Sequence, residues 1–234
     1  MFSQSIRAAF LALRSLFRSR TTLALVLLLY GGLIIAGYLF VSTREATISQ
    51  LAITLGAVVV APALFFALQA VSVNYAANAG GATLLIRKTA QDSLRVIVVS
   101  VPLILLTALA IYGLSKIDSH PTLITTMRYL LIGVIAPLLA IQLWVAASSE
   151  GLRSLLRRVH QIAGRAFAPQ PVLVYACGVL FFAVAPYLLI FFHVEIERTW
   201  LEISLLIVRL AIGALLMVIG WVTTVGTLSL LNKH

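Results

Sequence analysis

The stretch Thr21-Thr-Leu-Ala-Leu-Val-Leu-Leu-Leu-Tyr-Gly-Gly-Leu-Ile-Ile-Ala-Gly-Tyr-Leu-Phe-Val-Ser42 runs for 22 residues without a charge. At about 1.5 Å of rise per residue it makes a helix roughly 30 Å long, the thickness of a bilayer's hydrocarbon core. Five further stretches of this kind follow, at 51–74, 96–115, 129–148, 171–192 and 203–230, the last interrupted only by Arg209. Inside hydrocarbon every backbone N–H and C=O must be satisfied within its own segment or by a closed barrel, and apolar runs of 20 or more residues fit helices rather than ten-residue strands. The expected fold is all-α: six transmembrane helices in a domain covering 21–234, preceded by a separate amphipathic segment at 1–20.

Composition agrees. Of the 234 residues 62% are hydrophobic and 10% charged, whereas soluble domains run near 45–50% apolar and about 25% charged. Disordered and collagen-like chains are excluded, and so is a disulfide scaffold, because Cys177 is the single cysteine.

The Lys and Arg residues set the orientation, since positive charge close to a span end tends to stay in the cytoplasm. One side collects Arg7, Arg14, Arg18, Arg20, Arg87, Lys88, Arg95, Arg153, Arg157, Arg158, Arg165 and Lys233; the other has Arg44, Lys116, Arg128 and Arg198. Twelve against four places both termini in the cytoplasm. The expected location is a plasma membrane of the bacterial inner-membrane type. The net charge of +10 then reads as inside retention and attraction to the anionic inner leaflet, with no nucleic acid as partner. Arg residues ahead of the first apolar run mimic a signal peptide, but that run is too long and no A-x-A cleavage site follows it.

Between the spans, periodicity remains. Over residues 2–19 a pitch of about 100° per residue gathers Arg7, Arg14 and Arg18 on one face and Phe2, Ile6, Ala9, Phe10, Leu13, Leu16 and Phe17 on the opposite one. This predicts a helix lying in the cytoplasmic interface. In the segment 149–170, Leu152, Leu155, Leu156, Val159, Ile162 and Ala163 keep helical spacing among Arg153, Arg157, Arg158 and Arg165, and Pro169 and Pro171 end the pattern. The segment 75–95 is broken by Gly80 and Gly81, after which 83–95 predicts a short helix with Leu84 and Leu85 inward. Ala61-Pro62 and Ala136-Pro137, each followed by a basic phrase after Gly81 and Gly151, outline a repeated span pair of the kind transporters use.

Chemistry within the membrane is sparse. Arg209 is the one ionisable group at span depth; it is either a counter-ion or a side chain reaching back toward Glu202 and the headgroups. No Asp or Glu falls in a span interior, and His120, His160, His193 and His234 all lie in loops or at ends. H-E-x-x-H, G-x-S-x-G, C-x-x-C and nucleotide-binding loops are missing, so no cofactor or metal is expected. Gln69, Ser72, Asn74, Ser100, Thr107, Gln142, Thr223, Thr224 and Thr227 supply polar groups that glue or line helices. Pro62, Pro102, Pro137 and Pro186 each remove a helical hydrogen bond, and the matching depth of Pro62 and Pro137 marks a cavity or a moving part.

These features point to a non-catalytic, permease-like or scaffold subunit of a transport or envelope complex. Its basic loops, with Arg87, Lys88, Arg153, Arg157 and Arg158, would meet anionic lipid or a cytoplasmic or membrane protein partner. The lead-in Leu13-Arg-Ser-Leu-Phe-Arg-Ser-Arg20 resembles the elbow of ATP-binding-cassette permeases. That resemblance implies an exporter permease as the alternative, with the first basic loop as its coupling helix. An intramembrane lipid-modifying enzyme is a third class.

Overall fold

The computed structural model describes residues 2–43, 47–77, 82–116, 121–192 and 199–232. Among these the elements are helices: α1 (Phe2–Arg18), α2 (Arg20–Ser42), α3 (Ile48–Asn74), α4 (Ala82–Leu114), α5 (Pro121–Leu130), α6 (Ala136–Glu150), α7 (Leu152–Ala166), α8 (Pro169–Val179), α9 (Ala185–Phe191) and α10 (Thr199–Leu231). Single π turns at Leu131–Ile135 and Leu180–Val184 fuse α5 to α6 and α8 to α9. Six helices are therefore long and apolar enough to cross a membrane: α2, α3, α4, the α5–α6 rod, the α8–α9 rod and α10. The chain has the make-up of a multi-pass membrane protein. Gly80, Gly81, Arg44, Glu45, Asp118, His120, His193, Glu195, Glu197, Arg198, Lys233 and His234 lie outside the described residues.

Alternating crossings bring the two chain ends to one end of the bundle, here the terminal end, and hydrogen bonds tie that layer together. Ser229 Oγ donates to the Val73 carbonyl at 2.8 Å, Gln170 Nε2 to Ser5 Oγ at 3.3 Å, and Asn232 Nδ2 to Gln142 Oε1. α10 is the hub, packed against α1, α3, α8 and α9. Close approach is possible there because Gly220 and Gly226 carry no side chain. A Cβ at Gly226 would sit 2.5 Å from the Tyr75 hydroxyl, and one at Gly220 would sit 3.1 Å from the backbone nitrogen of Phe182. Tyr75, in a single 3-10 turn after α3, is thus tucked under α10, where its hydroxyl donates to the Val222 carbonyl at 3.3 Å. Burial pushes its phenol pKa well above the ordinary range, which keeps the group a neutral donor.

Span three departs from expectation. It begins at Ala82, not near residue 96, and its 33 residues make a rod of about 50 Å, some 20 Å more than a bilayer core needs. The stretch 83–95 holds no Gly or Pro, and Leu85, Thr89, Asp92, Val96 and Val99 repeat at helical spacing as one buried seam. Leu85 points inward as expected, while Leu84 is exposed. Asp92 is anchored on this seam, accepting from Asn74 Nδ2 at 2.8 Å and from Arg95 Nη1 at 3.0 Å.

α1 has three faces rather than two. Ser5, Ala8, Ala12 and Leu16 are buried, with α1 seated on α10; Phe2, Ile6, Phe10, Leu13 and Phe17 remain exposed; and Arg7, Arg14 and Arg18 form an exposed third sector. Leu16 therefore belongs to the protein-facing side, because the small residues around it let the helix approach α10 closely. Ser19 separates α1 from α2 and caps α2 by accepting from the Thr22 N–H at 3.2 Å. α7 follows α6 directly through Gly151, whose φ of +81° favours glycine.

The prolines pair differently from the sequence reading. Pro137 and Pro186 each stand just after a π turn, at Leu131-Ile-Gly-Val-Ile-Ala-Pro and Leu180-Phe-Phe-Ala-Val-Ala-Pro, whereas Pro62 lies exposed within an unbroken α-helix. In the π turns the N–H of Ala136 reaches Leu131 and that of Ala185 reaches Leu180. This i+5 bonding carries the chain past a proline that has no N–H to give. Local geometry thus matches span four with span five, not span two with span four.

Candidate functional site

The buried residues concentrate toward the terminal end: Phe66 to Val73 of α3, Leu138 to Ala147 of α6, and Val222 to Ser229 of α10. Toward the opposite, distal end, α5 has no buried residue and α9 has only Pro186. Between the spans on that side lies a chamber of about 1040 Å³ to which all six spans contribute. It reaches the last turns of α4 and α9, at Ile111 and Phe191.

Its floor is built by two indoles. Trp221 on α10 donates its Nε1–H to Gln69 Oε1 on α3 at 2.8 Å, and Trp144 on α6 donates to Ser100 Oγ on α4 at 2.7 Å. Gln69 is 1% and Ser100 3% exposed. Phe182, in the span-five π turn, packs edge-on against the Trp221 ring with centroids 5.2 Å apart. The two bonded pairs clamp four helices together, because an indole N–H left unpaired in hydrocarbon would cost far more than a bond in water. Each pair also leaves capacity unspent: among the described residues neither the Gln69 amide N–H groups nor the Ser100 hydroxyl proton has a partner. Both residues line the chamber.

The walls carry Pro137 and Pro186, and Pro137 withholds from the Gly133 carbonyl its usual i+4 donor. Tyr175 on α8 replaces it, donating to Gly133 O at 2.6 Å across the gap between spans four and five. No charged side chain lines the chamber among the described residues.

The residues singled out from sequence fall apart in space. Pro137 lines the chamber and Pro62 does not. Arg209 is not among the residues lining the chamber and donates to the Phe192 carbonyl, with its guanidinium 5.9 Å from the Phe192 ring. It makes no ion pair with Glu202; the one salt bridge among the described residues is Arg95–Asp92. Arg87 and Lys88 are exposed on the first turns of α4, and Arg153, Arg157 and Arg158 on α7. Sequence reading took Gln69 and Ser100 for interhelical glue and passed over Trp144, Trp221 and Tyr175. The available signal was a Trp and a hydrogen-bonding residue at similar depth in four spans, which only pairing in space makes specific.

A second, smaller hollow of about 450 Å³ lies between the apolar face of α1, α8 and α10, and Cys177 borders it. Among the described residues no three His, Cys, Asp or Glu side chains gather. Compared with family models, with curated proteins and with solved structures, the chain has no match.

Proposed function

We propose that the chain is a non-catalytic, permease-like membrane subunit whose chamber is the distal half of a path through the bundle. One observation carries this reading: the six spans are sealed by packed aromatics and hydrogen bonds toward the terminal end and stand apart around a chamber toward the distal end. A passive scaffold gains nothing from such asymmetry, whereas a permease caught in one of two states has one half closed and the other open. The π turns before Pro137 and Pro186 supply the hinges, because neither keeps a regular hydrogen-bond ladder.

Paired spin labels test it in a Cys177→Ser background. Labels at Thr83 and Glu150 report the terminal end, and labels at Ile48 and Leu123 the distal end; all four positions are exposed. The expected outcome in lipid nanodiscs is two distance populations at both ends, with opposite weights. A single narrow population at the terminal end would leave a scaffold.

The exporter-permease alternative has its own support. α1 leads into α2 through one capping residue, Ser19, and α4, at 33 residues longer than a bilayer core needs, carries Arg87 and Lys88 exposed near its start. If this end of α4 meets an ATPase, the tagged full-length chain co-purifies with one, and Arg87→Glu with Lys88→Glu abolishes the capture. Unchanged purification without an ATPase removes the alternative.

A further inference from the structure

We infer that the chamber binds a neutral lipid bearing a carbonyl or ester group, held through its oxygen lone pairs by the Gln69 amide and the Ser100 hydroxyl. The inference rests on the permease reading only for the chamber's role in transport; the binding site itself stands on the chamber's chemistry.

Three features select the ligand. Charge is the first. No charged side chain lines the chamber among the described residues, so a phosphate or ammonium headgroup would lose its hydration with nothing to replace it. Second is hydrogen bonding. Gln69 and Ser100 each accept one indole N–H, from Trp221 and Trp144, while their own amide N–H and hydroxyl O–H donors have no partner among the described residues. A ligand that brings acceptors to these donors fits, and a carbonyl or ester group with its oxygen lone pairs does so. A pure hydrocarbon would leave both donors unpaired at the chamber floor, and so would a lipid tail that strays in from the bilayer. Third is size and surface. At roughly 30 Å³ per non-hydrogen group, similar to a molecule of liquid water, about 1040 Å³ takes on the order of thirty such groups. That is an acyl or prenyl chain with its polar end, bounded by Phe65, Phe66, Phe182 and Phe191. Diacylglycerols, fatty esters and quinone-type lipids share this chemistry.

Fluorescence quenching of the full-length protein tests the inference. Trp200→Phe removes the exposed indole at the distal surface and leaves Trp144 and Trp221 as reporters at the floor. In phosphatidylcholine nanodiscs, brominated diacylglycerol is expected to quench them saturably, while brominated phosphatidylcholine or phosphatidylglycerol at equal mole fraction gives only weak, non-saturating quenching. Gln69→Leu removes the amide donors and is expected to weaken the half-saturation point about fivefold, the effect of one hydrogen bond. Because it also strips Trp221 of its acceptor, Ala136→Phe serves as a second variant; it fills the chamber from a partly exposed wall position and is expected to abolish the saturable phase. Equal quenching by charged and neutral lipids, or saturable quenching unchanged in both variants, overturns the proposal. Lipid binding to a bundle whose spin-label distances stay single and narrow would overturn the permease reading alone, and exchange of distances without lipid binding would overturn the ligand alone.

Discussion

The terminal and distal halves of the bundle are made from the same six helices, yet one is sealed and the other stands open. Lipid tails are as apolar as leucine, so a transmembrane helix gains little by moving a leucine from lipid onto a neighbour; small residues and interhelical hydrogen bonds decide where helices close up. In the terminal half Ala70, Ser72, Ala140, Ala147, Gly226 and Thr227 sit at the contacts, and Asn74–Asp92, Ser229–Val73, Trp221–Gln69 and Trp144–Ser100 bond across them. The distal half presents Val58, Val59, Leu105, Leu106, Leu109, Phe181 and Ile207, all exposed. What separates seal from chamber is residue size and hydrogen-bonding capacity at the helix contacts.

The most direct way to break this comparison is to make the same kind of cut in both halves. Ile141 is fully buried in the terminal core, whereas Leu106 on α4 is 63% exposed. Ile141→Ala is expected to destabilise the protein by about 3 kcal/mol through the cavity it leaves, and Leu106→Ala by less than about 0.5 kcal/mol, because lipid refills the space. Reversible unfolding in mixed micelles, followed by far-UV circular dichroism, measures both. Equal losses would mean that the distal half is packed as tightly as the terminal one.

A smaller effect, about 2 kcal/mol, is expected from Gly226→Ala. The added methyl would meet the Tyr75 hydroxyl at 2.5 Å and its ring carbons at 2.7 Å, and the buried ring has little room to turn. Gly37, where a Cβ meets nothing within 4 Å, is the control: Gly37→Ala is expected to be neutral or slightly stabilising, since alanine is the better helix former.

Sequence carried the number and helical nature of the spans, because apolar length is a property of each segment by itself. Ends were harder to place. The continuity of α4 was hidden by Arg87, Lys88, Asp92 and Arg95, charges that set 83–95 apart as a short helix of its own, whereas they sit on the same helix as the span, with Leu85 and Thr89 packed on the bundle. The chamber was only half legible. Pro137 pointed to it, but Pro62 is equally a proline in mid-span and faces outward, since a helix's rotation about its axis is set by its neighbours. The basic, apolar and small sectors of α1 show the same limit: periodicity separated arginine from phenylalanine, but could not say that alanine, not phenylalanine, faces α10.

The last and smallest effect concerns the boundary between the halves. Tyr175 rises from the terminal core and spends its hydroxyl on Gly133 O, the carbonyl that Pro137 deprives of its usual donor. Tyr175→Phe keeps the ring, and with it the packing against Phe182 at 6.0 Å between centroids, but removes one hydrogen bond worth about 1 kcal/mol. If the π turn is a hinge, losing the bond frees spans four and five to separate, so the distal spin-label distances shift toward the open population and the terminal pair shifts toward the closed one. The Tyr175→Phe stability loss then stays near 1 kcal/mol, well below that of Ile141→Ala, although the two residues share one core cluster. If the distal distances broaden while the terminal populations stay as they were, the two halves move independently and the bond only stiffens the distal end. If neither pair changes, the Gly133 carbonyl has found its donor within the π turn, and the hinge must be sought at Pro186.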